Sequence, residues 1–330
     1  MEITFLIVVI VVALIFEYIN GFHDSANAIA TVVSTRVLSP RQAVAFGAVL
    51  NLAGAFAGTH VAKTIGAGIV EAKGVTQIVI LCALAAAIVW DLITWYYGIP
   101  SSSSHALIGG LIGASIAKSG AGVVNITGVA GKVIAPMVTS PVIGSMVGFG
   151  CMLGLLWLVQ RWAPERVNRY FRRFQLVSSG IMAFSHGSND AQKTMGIITL
   201  SLFTYGALGS VEVPIWVIAL CAATMALGTL GGGWRIIRTM GTKIIRLEPI
   251  HGFAAETSAA SVILAASHFG IPVSTTHVIS TSIMGVGATG RLSAMRWGIA
   301  GNIVLAWVLT IPVCMAIASA IYLVVDKIVF

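Results

Sequence analysis

Charged residues are scarce in this sequence, where only 9% of the 330 residues are Asp, Glu, Lys or Arg and 57% are hydrophobic. That balance excludes an ordinary soluble domain, in which about a quarter of the residues are charged. Polar stretches long enough for a separate soluble domain are also missing, and apolar runs near the ~20 residues of a membrane span recur along the chain. Backbone groups in lipid must hydrogen-bond within their own segment, which predicts helices. We therefore expect an all-α polytopic membrane protein that contacts the lipid bilayer and not nucleic acid.

Two other signals are absent. The four cysteines lie in apolar stretches without a pairing pattern, which indicates packing or lipid-facing positions rather than disulfides. A secretory signal peptide would need a positive N-terminal region, but Glu2 stands there, and the first apolar run leads into a polar motif that recurs later. The first run is therefore predicted to remain as a membrane helix.

The chain contains an internal duplication. The stretch GFHDSANA at 21–28 has a counterpart in GSNDAQKT at 187–194, which matches Asp24 with Asp190. The stretch GIPSSSSHALIGGLIG at 98–113 has a counterpart in GIPVSTTHVISTSIMG at 270–285, which matches His105 with His277. Because the two motifs recur in the same order, the sequence predicts two repeats.

Each repeat is predicted to cross the membrane five times, which gives about ten crossings. The predicted crossings of the first half are 1–35, 42–62, 77–97, 101–117 and 139–160, and those of the second are 174–204, 213–233, 251–268, 273–289 and 297–325. Because five is odd, the second half starts on the opposite side and is inverted. We therefore divide the chain into a first inverted repeat (1–160), a basic cytoplasmic linker (161–173) and a second inverted repeat (174–330).

The distribution of positive charge predicts the orientation. With the N-terminus outside, thirteen Lys and Arg residues fall on the cytoplasmic side, including Arg36, Arg291 and Arg296, and five lysines fall outside. The positive-inside rule favours this orientation, with both termini outside the plasma (inner) membrane.

Two crossings are predicted to be interrupted. Residues 1–35 and 174–204 are too long for one span, and each contains a polar cluster, NGFHDSAN or SHGSNDAQK. Each is expected to form two helical pieces with Asp, Asn or Ser capping the second piece, so the chain would have about twelve pieces. The GIP motifs each place a proline before hydroxyl residues that open a helix, which is typical of an anion site. These hydroxyl residues are Ser102, Ser103, Ser104, Ser274, Thr275 and Thr276.

Ionisable residues within spans are candidate functional residues, because each costs about 2.5 to 3.5 kcal/mol on insertion. The spans contain Glu17, Asp24, Asp91, Asp190, Lys193 and Glu256. Capping alone is the alternative for the paired aspartates, an interfacial position is the alternative for Asp91, and His105 and His277 either orient helices or titrate. Glu256 has no counterpart in the first half, which favours a proton or cation role.

Five motifs in order, GFHDSANA, GIPSSSSH, HGSNDAQK, AAETSAA and GIPVSTTH, resemble the paired signatures of the inorganic phosphate transporter (PiT) family over essentially the whole chain. The resemblance implies secondary active uptake of inorganic phosphate, two inverted repeats and a central site contributed by both signatures. It implies substrate-binding roles for Asp24, Asn27, Ser102, Ser103, Ser104, Asn189, Asp190, Lys193, Ser274, Thr275 and Thr276. It implies coupling-ion roles among His23, Asp24, Asp190, Glu256, His105 and His277.

Two departures from the sodium-coupled relatives concern the coupling ion. His23 replaces the first Asn of their signature, and Lys193 replaces the Asn that follows the second aspartate. A fixed ammonium among cation ligands repels sodium or substitutes for it. The pattern resembles the proton-coupled bacterial branch, whose members can carry neutral divalent metal–phosphate complexes. We expect the proton as coupling ion, with sodium as the alternative, no cofactor, and a divalent metal as co-transported cargo.

Energetics also require a coupling ion, because each negative charge moved against 100 mV costs about 2.3 kcal/mol, hence about 4.6 kcal/mol for HPO₄²⁻. The nearest alternative is sulfate transport by the same family. A cation channel or exchanger is disfavoured by the hydroxyl-rich helix starts, and an intramembrane hydrolase by the duplication of both serine motifs. A transporter rather than an enzyme is therefore expected, and self-association into a homo-oligomer stays open.

Overall fold

The computed structural model describes residues 2–67, 69–70, 74–290 and 295–329, and the chain is helical nearly throughout these ranges. Within them there is no β-strand, and one isolated antiparallel bridge joins Val70 and Val124. The α-helices are α1 (Glu2–His23), α2 (Ser25–Ser34), α3 (Pro40–Ala55), α4 (His60–Ala67), α5 (Gln77–Tyr97), α6 (Ser103–Ser119), α7 (Ile126–Val129), α8 (Ala135–Val159), α9 (Pro164–Tyr205), α10 (Ile215–Gly231), α11 (Trp234–Arg238), α12 (Pro249–His268), α13 (Thr275–Ala288) and α14 (Trp297–Val329). Single π-helical turns at Ala130–Ile134 and Thr239–Lys243 join α7 to α8 and extend α11. The predicted all-α class is confirmed.

The GIP motifs end one helix and begin the next. Gly98 and Gly270 both have φ of +66°, a left-handed conformation in which glycine has no side-chain penalty, and they follow α5 and α12. Proline follows two residues later in both motifs, and α6 and α13 then begin at Ser103 and Thr275. The repeated sequence motif therefore forms the same helix–turn–helix corner in both halves.

The two crossings predicted to be interrupted differ from each other. The first is broken at Asp24, where φ is −89° and ψ is 1°, although the Asp24 side chain makes no capping hydrogen bond. The second is not broken, because α9 runs without interruption from Pro164 to Tyr205. The prediction of two pieces over 174–204 was wrong, and so was the expectation that Asp190 would lie at a helix start.

The polar residues of α9 make local hydrogen bonds that are compatible with a continuous helix. Ser185 and Gln192 donate to the carbonyls of Ile181 and Ser188, both four residues earlier, at 2.6 Å in each case. Such back-bonding satisfies polar side chains without opening the helix. Residues 164–173 of the predicted linker form the first turns of the same helix.

Four helices within the described ranges are long and apolar enough to cross a membrane, with α1–α2 and α7–α8 each counted as one helix. The others are α5 and α14, and a fifth span results if α10 and the segment Trp234–Lys243, bent by 61°, are counted together. The large side chains of Ile7, Val11 and Ile15 lie exposed at intervals of four residues along α1, as expected of a lipid-facing stripe. The number of ten crossings stays a prediction, and Arg291, which entered the charge count, lies outside the described residues.

The helices of the two halves pack against each other in matching pairs. Helix α6 packs on α14 and α13 on α8, while α1 packs on α10 and α3 on α9. Two hydrophobic clusters result, one including Phe16 and Met195 and the other including Ile29 and Met182. The polar motifs at 20–27 and 185–194 lie between these clusters along α1–α2 and α9. The packing therefore encloses a polar layer within an apolar bundle.

Candidate functional site

Asp24 lies at the break between α1 and α2 with 3% of its surface exposed. Its Oδ1 lies 2.7 Å from Nδ1 of His23, and Nε2 of His23 lies 3.1 Å from the Thr94 hydroxyl of α5. Ser103 of α6 donates to Oδ2 of Asp24 at 3.5 Å. His23 and Asp24 therefore form one buried hydrogen-bonded unit that reaches three helices.

Asp190 lies inside α9 and is fully buried. Its Oδ1 forms an ion pair with the ammonium of Lys193, one helical turn later and also buried. Its Oδ2 accepts a hydrogen bond from Thr275 at 3.0 Å and lies 3.3 Å from Nε2 of His186. Nδ1 of the same imidazole lies 3.0 Å from the amide oxygen of Asn51, which holds the ring in place. The second aspartate is thus paired with a fixed positive charge, and the first is not.

A chain of hydrogen bonds connects the two carboxylates. Thr276 donates to Asp24 at 3.4 Å, and Thr275 donates to Asp190. The amide of Asn27 donates to both hydroxyls, at 2.9 Å for Thr276 and 3.2 Å for Thr275. The structure therefore brings Asp24 and Asp190 together, as the duplication predicts, and the start of α13 lies between them.

The hydroxyls that open α6 and α13 divide into two kinds. Ser102 and Ser274 are N-caps, whose hydroxyls accept from the backbone N–H groups of His105 and His277 at 3.3 and 3.2 Å. Ser103, Thr275 and Thr276 instead face the carboxylates, whereas Ser104 is buried without a side-chain hydrogen bond that joins it to them. Ser102 and Ser274 thus stabilise the helix starts, whereas Ser103, Thr275 and Thr276 line the aspartate cluster.

His105 and His277 face each other, with ring centroids 4.9 Å apart. The His277 ring stacks on Trp307 at 4.0 Å, and both of its nitrogens lack a hydrogen-bond partner, as does Nδ1 of His105. Neither imidazole contacts Asp24 or Asp190 through a hydrogen bond. The orienting and the coupling roles of these two histidines therefore both stay predictions.

Two other predicted residues lie apart from the aspartate cluster. Asn189 donates its amide to Ser267 of α12 at 2.8 Å. Glu256 is fully buried on α12 and accepts from Thr31 at 2.5 Å and from Ser178. Glu256 therefore belongs to a second polar cluster, one turn of α2 beyond Asn27.

Several buried polar residues escaped sequence reasoning or were left open by it. Asp91 is fully buried, which contradicts an exposed interfacial position, and its carboxylate lies near the hydroxyl of Ser103, which also faces Asp24. It lies close enough to His23 and Asp24 for electrostatic interaction. Glu17 accepts from Thr194, the residue after Lys193. In the sequence, Glu17 and Asp91 stand out only as carboxylates within apolar spans. Their neighbours Thr194 and His23 come from other helices.

A cation could bind beside both aspartates. One ligand atom each from Asp24, His186 and Asp190 lies within 4.8 Å of the others, and all three residues are buried. One imidazole and two carboxylates are ligands that divalent transition metals accept. The ammonium of Lys193 already pairs with one oxygen of Asp190, so it competes with a cation for that carboxylate.

Comparison with known proteins gives one family. The model of the "Phosphate transporter family" matches residues 20–166 and 159–318. A probable low-affinity inorganic phosphate transporter of Rhizobium meliloti (strain 1021) is 51% identical over 97% of this chain and 96% of its own length. A protein of the same description from Bacillus subtilis (strain 168) is 45% identical over 98% of this chain and 97% of its own length.

One solved structure, "The sodium-dependent phosphate transporter", matches with a TM-score of 0.91 and 28% identity, and the match covers 98% of this chain and 100% of that one. The fold thus matches that of a membrane transporter. Because both the family model and relatives well above 30% identity cover nearly the whole chain, this chain belongs to the phosphate transporter family.

Proposed function

We propose that this protein imports inorganic phosphate by proton symport, with alternating access around the cluster that contains Asp24 and Asp190. The observation that carries the proposal is the hydrogen-bonded chain from Asp24 through Asn27 to Asp190, with a buried ammonium on one carboxylate only. The family and its relatives are transporters, which excludes the intramembrane hydrolase alternative.

The donors around the cluster suit a phosphate anion. The hydroxyls of Thr275, Thr276 and Ser103 and the ammonium of Lys193 converge on the two carboxylates. A substrate that enters can accept hydrogen bonds from these groups while its own P–O–H groups donate to a carboxylate. Sulfate has no such proton near neutral pH, so it would leave the carboxylate facing an oxyanion. This difference favours phosphate over sulfate as cargo.

The ion pair of Lys193 with Asp190 supports proton coupling. The ammonium supplies within the protein the positive charge that sodium would bring, so Asp190 does not need sodium as its counter-ion. The unit of His23 and Asp24, with Asp91 beside it, has no fixed cation and is the better place for a transported proton. The structural relative described as sodium-dependent keeps sodium as the alternative.

Co-transport of a divalent metal is the second candidate property of the same site. Asp24, His186 and Asp190 together offer two carboxylates and an imidazole, and a metal–phosphate complex would enter as one neutral species. The cost of moving two negative charges against the membrane potential, about 4.6 kcal/mol per 100 mV, would then vanish.

Alternating access requires two halves that rock against each other, and the packing supports an inverted repeat. Gly54 of α3 packs against the backbone carbonyl of Phe184 in α9, and Gly228 of α10 packs against that of Tyr18 in α1. When the two halves are exchanged, the contact of α3 with α9 corresponds to the contact of α10 with α1. Together with the charge distribution, they support residues 1–160 and 174–330 as repeats, in the plasma membrane with both termini outside.

Uptake of radiolabelled phosphate into proteoliposomes tests the proposal. Proteoliposomes with native protein are expected to accumulate phosphate. Unlabelled phosphate in excess is expected to inhibit this uptake far more strongly than sulfate at the same concentration. Asp190→Asn should abolish uptake, whereas Asn125→Asp, at a helix cap outside the cluster, should not. Equal competition by sulfate, or uptake that survives Asp190→Asn, would contradict the assignment.

A further inference from the structure

A cavity of about 980 Å³ lies apart from the aspartate cluster, between the C-terminal end of α2 and the N-terminal ends of α9 and α12. Four arginines line it, which are Arg36, Arg172, Arg246 and Arg296. The carboxylates on its wall are those of Glu165 and Glu248. The arginines outnumber the glutamates, so the net charge of these side chains is positive and attracts anions.

The backbone at the cavity is held in an unusual conformation. Arg36 has φ of 56°, the one positive value among the described residues other than glycine. Its carbonyl accepts a hydrogen bond from Nη2 of Arg172 at 2.8 Å, which links the end of α2 to α9. A left-handed conformation at a residue with a long side chain costs energy and persists only where surrounding contacts impose it. The hydrogen bond thus holds the guanidinium of Arg172 against the backbone of Arg36 at the cavity wall.

A buried polar plug separates the cavity from the aspartate cluster. Thr35, at the cavity wall, donates to the amide oxygen of Gln175 at 2.8 Å, and Gln175 donates to Glu256 at 3.0 Å. Glu256 also accepts from Thr31, which lies one turn after Asn27 on α2. Polar groups therefore continue from the cavity to the cluster, while the burial of Gln175 and Glu256 closes the way.

The plug is formed by side chains. The amide of Gln175 packs directly over Gly252 of α12, where a Cβ atom would overlap it. No backbone atom of another helix is among the nearest neighbours of that position. The connection between the cavity and Glu256 therefore runs through one amide side chain.

We propose that this cavity is a second binding site for a phosphate-type oxyanion, which receives phosphate from the aspartate cluster before its release. The proposal rests on the proposed function for the source of the anion. Guanidinium groups bind tetrahedral oxyanions through paired N–H donors. The two glutamates reduce the positive charge of the wall, and this suits a site that must release its ligand.

Equilibrium dialysis of the purified full chain in neutral detergent, with radiolabelled inorganic phosphate as probe, tests the proposal. The native chain is expected to show two classes of site. Arg36→Gln combined with Arg246→Gln should weaken one class by about tenfold or more, since a hydrogen bond to a charged group is lost at each position. Glutamine, like arginine, is not among the residues that favour φ of 56°, so the substitution is not expected to relieve the backbone strain. Arg173→Gln, on α9 next to Arg172 but off the cavity wall, is the matched control and should bind as the native chain does.

The two binding classes separate this proposal from the proposed function. Asp190→Asn should weaken the other class and leave the cavity class in place. If the native chain shows no class of sites that Asp190→Asn weakens, the proposed function is contradicted. If it shows no class that the arginine substitutions weaken, the cavity site is overturned. Equal weakening by Arg173→Gln would also overturn it, because the effect would then be one of general charge.

Two further arms complete the test. Should the glutamine variant fail to fold, Arg36→Lys with Arg246→Lys keeps the charge but loses the paired donors, and native affinity in this variant would contradict the proposal. In nanodiscs, replacing phosphatidylcholine by phosphatidylglycerol distinguishes the source of the oxyanion. Loss of the cavity class in phosphatidylglycerol identifies a lipid headgroup as occupant, and its persistence identifies free phosphate.

Discussion

The ion pair of Lys193 with Asp190 permits a quantitative prediction. Lys193→Met keeps the length of the side chain and removes the ammonium, which leaves a fully buried carboxylate with Thr275 and His186 as its direct partners and the Asp24 carboxylate nearby. Breaking a buried pair in this way costs about 3–5 kcal/mol. Because Thr275 still donates a hydrogen bond, we expect the lower end, about 3 kcal/mol, in the free energy of unfolding measured by SDS titration in mixed micelles.

The double variant Asp190→Asn with Lys193→Met distinguishes charge pairing from packing. Removing both charges takes the isolated carboxylate out of the core, so most of the lost stability should return while phosphate uptake stays absent. Lys63→Met, at an exposed position on α4, serves as the control and should change the stability by less than about 0.5 kcal/mol. A double variant no more stable than Lys193→Met would refute the pairing of the two charges as the source of the loss.

Three further variants test separate parts of the account. Thr275→Ala should weaken phosphate binding about tenfold in equilibrium dialysis with little change in expression, since one hydrogen bond to a charged group is lost; unchanged affinity would make Thr275 a structural residue. Asp91→Asn should stop proton-driven accumulation and preserve phosphate exchange across proteoliposomes without a gradient; loss of both would place Asp91 in substrate binding. Gly187→Ala, whose Cβ would overlap the backbone of Asn51, should destabilise the chain by about 1–3 kcal/mol, whereas Gly150→Ala, with open space around it, should not; equal effects would contradict the close packing of α3 on α9.

The sequence predicted the helix framework and the pairing of the aspartates because both rest on local patterns. The predicted crossing 77–97 coincides with α5, and the GIP motifs lie at the corners between α5 and α6 and between α12 and α13. The duplication identified Asp24 and Asp190 as partners although they are distant in sequence. Their proximity through Asn27, Thr275 and Thr276 follows from the packing of α13 between α2 and α9.

What the sequence did not predict depends on contacts between distant segments. Helix α9 is continuous, and its polar side chains are satisfied by back-bonding within the helix and by contacts with other helices, such as that of Asn189 with Ser267 on α12. Gln175 lies at the predicted cytoplasmic end of a span. Its hydrogen bond to Glu256 forms because α12 packs beside α9. Asp91 likewise follows a tryptophan typical of an interface, yet the packing of α5 against α1 buries it.

The most direct measurement is the initial rate of phosphate uptake into proteoliposomes with proton and sodium gradients imposed one at a time. The ion pair of Lys193 with Asp190 predicts that uptake follows an inward proton gradient and persists when sodium is replaced by choline on both sides. Uptake that requires sodium and ignores the proton gradient would contradict the central claim that the lysine takes the place of the coupling sodium ion.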